Sequence, residues 1–390
     1  METTLVDTQS SLKAVVSRKD LFEGVGTVGH AVSGRTSLPI LNHILIKSTE
    51  NSLYLMASDS ELTIALSIPA TIEEPGTLTA PAKLITELLG TLPESSVALS
   101  VDRSHAVRVH CDKSDYKILG LPAIEYPKKP EVPDDTTFKI GQRILRDMIR
   151  QTIFAVSPDE ARAILTGIFF VFDGVKLTCV ATDTHRLAVR SADVSDGIGA
   201  KQVIVPSRAM NELQRILVDA PGDVVVRISD NQILFETPAS EHNSSITLIS
   251  NLIQGTYPNY HRVIPTGYTR KITLQTAPFQ KAVRRAAIVA RNNAHRIILR
   301  SNEDKLTITA ESSMEGAAYE EVDFIREGED VEIAFNAKYM LDVLGTILEE
   351  GIIFELTDSL KPGIVRPVRS EDADSTMGEF LCILMPMQIM

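Results

Sequence analysis

Three short blocks recur in this chain in the same order and at nearly the same spacing, and no other feature restricts its fold as strongly. The first block reads Leu-x-x-x-Ala-small-acid or close to it: Leu53–Asp59 (LYLMASD), Leu177–Asp183 (LTCVATD) and the looser Leu306–Glu311 (LTITAE). Asp59, Asp183 and Glu311 stand 124 and 128 positions apart. The second block is Ala80–Leu89 (APAKLITELL), Val205–Leu217 (VPSRAMNELQRIL) and Phe335–Leu344 (FNAKYMLDVL). Its Pro81, Pro206 and Asn336 follow the acids by 22, 23 and 25 positions. The third block closes each unit: Leu121–Pro127 (LPAIEYP), Gly255–Pro258 (GTYP) and Leu384–Met387 (LMPM). One such match is weak, but three blocks in register three times over indicate a triplicated unit.

The middle unit is read most directly. Ile140–Val156 is amphipathic at helical period, with Ile144, Met148, Ile149, Thr152 and Ala155 on one side. Short β-branched runs follow at Ile164–Phe172, Leu177–Thr182 and Arg186–Arg190, and Asp173-Gly174 is a turn signal between the first two. The order then repeats: a helix over Ser207–Leu217 behind Pro206, and strands at Val224–Ile228, Ile233–Glu236 and Ile246–Ile249. Each unit is a helix plus three strands, twice over, which is an α+β composition. The predicted domains are 1–130, 136–258 and 259–390, with six helices in all. The Pro-rich stretches Tyr126–Asp135 and Tyr257–Thr269 serve as linkers.

At 390 residues two or three domains are expected, and 44% hydrophobic residues suffice for sizeable cores. No apolar run approaches the roughly 18–20 residues needed to cross a bilayer. The stretch Met1–Ser11 lacks the basic start and apolar run of a signal peptide. Cys111, Cys179 and Cys382 lie in strand-like runs without metal-ligand spacing, so they read as small buried hydrophobes in a reducing cytoplasm. No metal site or cofactor is expected.

A net charge of −12 argues at first against DNA as a partner. The placement of the cations reverses that argument. Arg143, Arg146 and Arg150 share one face of the first helix in the middle unit, and Arg208 and Arg215 lie on its second helix. Lys281, Arg284, Arg285 and Arg291 lie on the first helix of the third unit. Lys83, Arg208 and Lys338 occupy one equivalent position in all three units, and Arg35 joins this basic set. Helices on the concave side of an arc would gather these cations on one lining, with the acids outside. With no zinc-finger spacing, no basic zipper and no Trp, the expected contact is to phosphates without base reading.

The segment Asp183-Thr184-His185-Arg186 also offers an acid, a base and an anion binder to a catalytic reading. A hydrolase or transferase needs in addition a nucleophile, electrophile or metal. None is apparent, and the blocks ending at Asp59 and Glu311 carry no His. A positioning role for His185 is favoured and no catalytic residue is assigned.

Over essentially its whole length the chain resembles the β subunit of bacterial DNA polymerase III, the sliding-clamp family. The motifs that carry the resemblance are LPILNHILI (Leu38–Ile46), ATDTHRLAV (Ala181–Val189), IVPSRAMNEL (Ile204–Leu213), YPNYHRVIP (Tyr257–Pro265) and MPM (Met385–Met387). The resemblance implies three clamp domains per chain, each two helices packed on antiparallel sheets, forming half of a six-domain ring. That ring is a head-to-tail homodimer around duplex DNA, a processivity factor and not an enzyme. Its dimer contacts would fall at Tyr116 and Ile118 on one side, with Ile288 and Val289 on the other. The resemblance further implies a pocket in which the replicative polymerase, the clamp loader and other proteins dock short linear motifs. Carried over by position, it comprises Leu165, Thr182, Thr184, His185, Arg186 and Leu187. Pro258, Arg262 and Val263 join it, with Leu360, Pro362, Ile383, Leu384, Met385, Pro386 and Met387. Three departures stand out. Thr184 replaces a usual Gly, the tail reads Gln388-Ile389-Met390, and about ten residues are added at the N-terminus. Substitutions in the pocket would distinguish a specialised copy, such as one evading a clamp-binding antibiotic, from the general clamp.

Overall fold

The structure, a computed structural model, describes residues 11–34, 38–133, 136–239, 244–302, 305–368 and 378–389. Arg35 and Met390 lie outside the described residues. The first repeat supplies β1 (Lys13–Ser17), α1 (Arg18–Gly29), β2 (His43–Ser48), β3 (Ser52–Ser58), β4 (Leu62–Pro69), β5 (Thr71–Glu74), β6 (Thr77–Pro81), α2 (Ala82–Thr91), β7 (Ser96–Val101), β8 (Ala106–Cys111) and β9 (Ser114–Leu119). The second supplies β10 (Thr137–Gly141), α3 (Gln142–Arg150), β11 (Gly167–Thr182), β12 (Arg186–Pro206), α4 (Ser207–Ile216), β13 (Asp223–Ile228), β14 (Gln232–Glu236) and β15 (Thr247–Asn251). The third supplies β16 (Arg270–Gln275), α5 (Thr276–Ala290), β17 (Arg296–Ser301), β18 (Leu306–Ser312), β19 (Gly316–Val322), β20 (Phe324–Glu327), β21 (Glu332–Asn336), α6 (Ala337–Leu344), β22 (Gly351–Leu356), β23 (Gly363–Pro367) and β24 (Phe380–Leu384).

The contacts of the chain divide it into two compact units, Met1–Arg143 with Arg215–Leu252 and Ile144–Gln214 with Ile253–Met390. In the first unit one antiparallel sheet runs β5-β1-β7-β8-β9, and a second runs β10-β13-β14-β15-β4-β3-β2-β6. A strand of the middle repeat there pairs with one of the first, Leu248 opposite Ile64. Helix α1 turns Leu21, Val25 and Val28 into the core. It approaches β3 so closely that a side chain at Gly24 would come within 2.7 Å of Leu55. A larger residue there would need the Leu55 side chain to shift.

In the second unit one sheet runs β20-β16-β22-β23-β24-β12, with β11 pairing β12, and the other runs β19-β18-β17-β21. Strand β24 joins the third repeat to the middle one, Ile383 lying opposite Leu187. The alternation of apolar residues puts Phe279, Val283, Phe335, Met340 and Phe354 into one buried cluster between α5, α6 and their strands.

Two expectations are corrected here. Helix α3 ends at Arg150 and not at Val156. Thr152 turns its hydroxyl back onto the Met148 carbonyl at 2.7 Å, and a 3-10 turn over Ile153–Ala155 follows. The buried apolar positions of α3 are Leu145, Met148 and Ile149, while Ile144 is half-buried. Asp173-Gly174 closes no hairpin either. β11 runs on through Gly174, whose φ of +61° serves a register shift against β12. The three cysteines are buried and free, and burial pushes the thiols of Cys179 and Cys382 well up, so they stay protonated and inert.

Each predicted linker begins at a buried tyrosine. Tyr126 is buried, and its hydroxyl donates to the His43 carbonyl at 3.0 Å while accepting the Ser58 amide at 3.2 Å. Burial pushes this phenol up to about 12. Tyr257, at the equivalent place in the next repeat, is buried and stacks on Phe169, with ring centroids 4.6 Å apart and planes within 8°.

Candidate functional site

In the first two repeats the acid of the first block is a turn-former; in the third, Glu311 lies within β18 and Ser312 Oγ takes the turn amides of Met314 and Glu315, both at 3.3 Å. Asp59 Oδ1 accepts the amides of Glu61 (3.1 Å) and Leu62 (2.9 Å), closing the turn between β3 and β4. Asp183 Oδ1 accepts the amides of His185 (2.9 Å) and Arg186 (3.0 Å) in the same way between β11 and β12. Such short side-chain acceptors stabilise turns that leave two amides unpaired. The next residue is left-handed in both, with φ of +79° at Ser60 and +80° at Thr184. The block's sequence is thus explained by hairpin chemistry, and Asp183 is buried with its oxygens engaged.

Thr184 stands in this left-handed conformation although it is β-branched, which costs on the order of 1–3 kcal/mol. Thr184→Gly is therefore expected to stabilise the protein by about 1 kcal/mol, after the extra chain entropy of glycine is deducted. A midpoint of chemical denaturation that falls or stays put would contradict this strain.

The turn borders a cavity of about 170 Å³ lined by Leu165, Thr182, Thr184, Arg186, Leu187, Pro258, Asn259, Tyr260, Val263 and Met385. Its floor is apolar: Leu165, Leu187 and Tyr260 belong to one buried cluster with Phe169, Ile364 and Ile383. Polar groups stand at the rim. Arg162 donates from Nε to Asp159 Oδ2 (3.0 Å), from Nη2 to Ser157 (3.2 Å), and reaches Thr184 Oγ1 at 3.5 Å. The chain end forms one wall. Met385 donates its amide to the His185 carbonyl (2.9 Å), and Met387 donates to the Ala334 carbonyl of β21 (2.8 Å). Arg296 Nη1 donates to the Gln388 carbonyl at 3.3 Å. Met385, Pro386 and Met387 are half-buried.

Eight of the sequence-derived pocket residues line the cavity: Leu165, Thr182, Thr184, Arg186, Leu187, Pro258, Val263 and Met385. Ile383 lies beneath the floor, and Leu384 sits in the neighbouring core with Phe335 and Phe354. His185 and Arg262 are exposed outside the lining, as is Leu360, while Pro362, Pro386 and Met387 are half-buried away from it. Sequence reasoning missed Asn259 and Tyr260, which stood inside a stretch read as linker. An aromatic flanked by Pro258 and Val263 was the available signal.

Arg186 differs most from its sequence reading as a ligand-binding edge. Its guanidinium is buried, bonded through Nε to Asp183 Oδ2 at 3.0 Å and through Nη1 to Asp342 of α6. One face lies over the Tyr339 ring at 4.5 Å and another contact reaches Phe154 at 5.3 Å. Its charge is spent inside the protein.

Among the cations assigned to DNA, Lys83, Arg143, Arg146, Arg215, Lys281, Arg284, Arg285 and Lys338 are exposed, and Arg208 is half-buried. Arg143 pairs with Asp219, Lys83 with Glu87, and Arg285 with Glu320 through two nitrogens. Arg150 is tied down, donating to the Thr346 carbonyl and to Asp147, both at 3.0 Å. Among the dimer candidates, Ile288 is 60% and Tyr116 40% exposed, while Ile118 is 5% exposed and Val289 packs partly on its own core. Among the described residues no cluster of His, Cys, Asp and Glu could hold a metal ion, and no helix is long and apolar enough to cross a membrane.

Comparison with known proteins agrees with this geometry. The N-terminal, central and C-terminal domains of the DNA polymerase III beta subunit match residues 12–130, 139–259 and 261–379. The beta sliding clamp of Staphylococcus epidermidis is 34% identical over 355 residues, covering 88% of this chain and 92% of the relative. That of Staphylococcus aureus is 33% identical over 347 residues, covering 86% and 90%. The crystal structure of the Bacillus subtilis DNA polymerase sliding clamp superposes with a TM-score of 0.88 at 30% identity, covering 98% of this chain and all of that one (100%). A sliding clamp from Bartonella birtlesii bound to griselimycin gives 0.89 at 31% identity, covering 97% and 100%. The three repeats, the shared hairpin chemistry and these likenesses have one explanation: the chain belongs to the DNA polymerase III beta-subunit family, the sliding clamps that act in DNA replication as processivity factors and not as catalytic enzymes.

Proposed function

We propose that two copies of this chain close head to tail into a six-domain ring around duplex DNA in the bacterial cytoplasm. The replicative polymerase, the clamp loader and other motif-bearing proteins then dock in the cavity beside the Thr182–Leu187 turn. The observation that carries the docking reading is the apolar cavity walled by Met385, on a chain end held down by backbone hydrogen bonds. Met adapts to varied apolar partners. The griselimycin complex of the Bartonella clamp supports ligand capture in a relative.

The DNA reading rests on the helix starts. Lys83, Arg208 and Lys338 are each the second residue of α2, α4 and α6. A cation in the first turn opposes the helix dipole, whereas an anion there is favoured. Placing one there three times is unfavourable for an isolated helix and useful against a phosphate backbone. Closure then supplies the residence time. Non-specific DNA binding has a Kd of about 10⁻⁴–10⁻⁶ M. With association near 10⁸ M⁻¹s⁻¹ the off-rate is on the order of 10²–10⁴ s⁻¹, so an open protein leaves within milliseconds.

Phosphate contact has a direct test in the salt dependence of binding. Replacing Arg143, Arg146 and Arg150 by Gln together is expected to weaken binding to any duplex and lower the slope of log K against log salt by up to about 0.9 per lost contact. Arg150→Gln alone is expected to change the slope little, because its guanidinium is held by Thr346 and Asp147. An unchanged slope in the triple variant, or a loss confined to one DNA sequence, would count against the reading.

A further inference from the structure

We propose that Asp342, which lines no part of the cavity, is a positioning residue for ligand docking: from α6 it holds Arg186 and thereby the turn that forms the cavity rim. This rests on the docking reading above. The strut runs in three links. Asp342 takes Arg186 Nη1; Arg186 Nε donates to Asp183 Oδ2 at 3.0 Å; Asp183 Oδ1 takes the amides of His185 and Arg186. Thr182 Oγ1 then donates to the Arg186 carbonyl at 2.6 Å, so the residues that line the rim are fixed by the same set of bonds.

The protein contains its own control. The turn at Asp59 has the same two amide bonds and the same left-handed residue, with φ of +79° against +80°. Leu62 stands there in the place of Arg186, so that turn forms with no guanidinium and no strut. Folding of the hairpin therefore does not require Asp342. The addition appears at the turn that faces a cavity, where a buried guanidinium between two carboxylates and the Tyr339 ring fixes one geometry. A preorganised rim loses less on binding than one that must be ordered by the ligand.

The test uses the full-length protein with griselimycin as probe, titrated calorimetrically against wild type, Asp342→Asn, Asp342→Glu and Val263→Asp. The expected result is a Kd about tenfold higher for Asp342→Asn, through faster dissociation, with DNA retention unchanged and affinity largely restored in Asp342→Glu. In wild type, griselimycin is further expected to slow amide exchange in Ala337–Leu344 although no residue of α6 lines the cavity, since coupling is reciprocal. That measurement decides the matter even if the Asn variant folds poorly. Wild-type affinity in Asp342→Asn, or unaltered exchange in α6, overturns the positioning role and leaves the docking reading standing. No binding by wild type, or binding indifferent to Val263→Asp, overturns the docking reading and this inference with it.

Discussion

Deletion of Met385–Met390 is expected to lower the affinity for a docking peptide by more than about a hundredfold and to abolish polymerase stimulation, while dimerisation and retention on circular DNA persist. β24 ends at Leu384, so the strand that pairs with β12 and β23 survives the cut. What is lost is the Met385 wall of the cavity and the backbone bonds to His185 and Ala334 that hold it. Binding sites of this kind draw most of their affinity from a few buried apolar contacts, each worth about 2 kcal/mol or more. Losing the wall removes those contacts together and opens the floor at Leu165 and Leu187 to water. Calorimetry with a peptide bearing two large apolar side chains reads the loss directly, and primer extension on a circular template reads its consequence. Full affinity in the truncated protein would place docking elsewhere.

A second large effect is expected at the proposed ring junction. Ile288→Ala with Val289→Ala should yield monomers at micromolar concentration in sedimentation velocity, with loss of retention on circular DNA. Ile288 projects from α5 into solvent, 60% exposed, where a partner's surface can cover it. β9, which carries Tyr116, is the edge strand of its sheet, and β19 is the edge of another. Exposed edges carry unpaired backbone groups and are covered or protected in stable proteins. Truncating two apolar residues at the centre of such an interface costs roughly 4 kcal/mol, about a thousandfold in dimer dissociation. Val289 also packs on its own core, so Ile288→Ala alone should give most of the shift without loss of fold. A double variant that stays dimeric at micromolar concentration would show the interface assignment to be wrong. Ile118 is not expected to be a contact residue, since it is already buried within its own sheet.

What the sequence alone determined is the information that repeats or is local. The three blocks mark the same three places in the repeats: a hairpin capped by an acid in the first two and by Ser312 in the third, a helix start, and a segment anchored by a Tyr or Met. A hairpin capped by its own Asp, or a helix beginning behind Pro81, Pro206 or Asn336, is specified by residues within three or four positions of one another. Sequence periodicity therefore located them. Part of the cavity lining was also legible, because Leu187, Val263 and Met385 belong to motifs shared with the family.

Only the tertiary structure decided what the charged residues do. Arg186 read as a binding edge because nothing nearby shows that Asp342, 156 positions on, will take its guanidinium. Arg150 read as a member of a basic face, yet the Thr346 carbonyl, 196 positions away, claims it. Ile118 and Tyr116 are near neighbours on one strand, and which of them faces the core depends on the sheet's packing. Asn259 and Tyr260 were hidden by a Pro-rich run that resembles a free linker until the apolar cluster beneath it is seen. The two arginines share one physical reason. Hydrogen-bond and backbone preferences act over a few residues and are written locally, whereas the partner of a long charged side chain is chosen by whichever distant group the fold brings within about 3 Å.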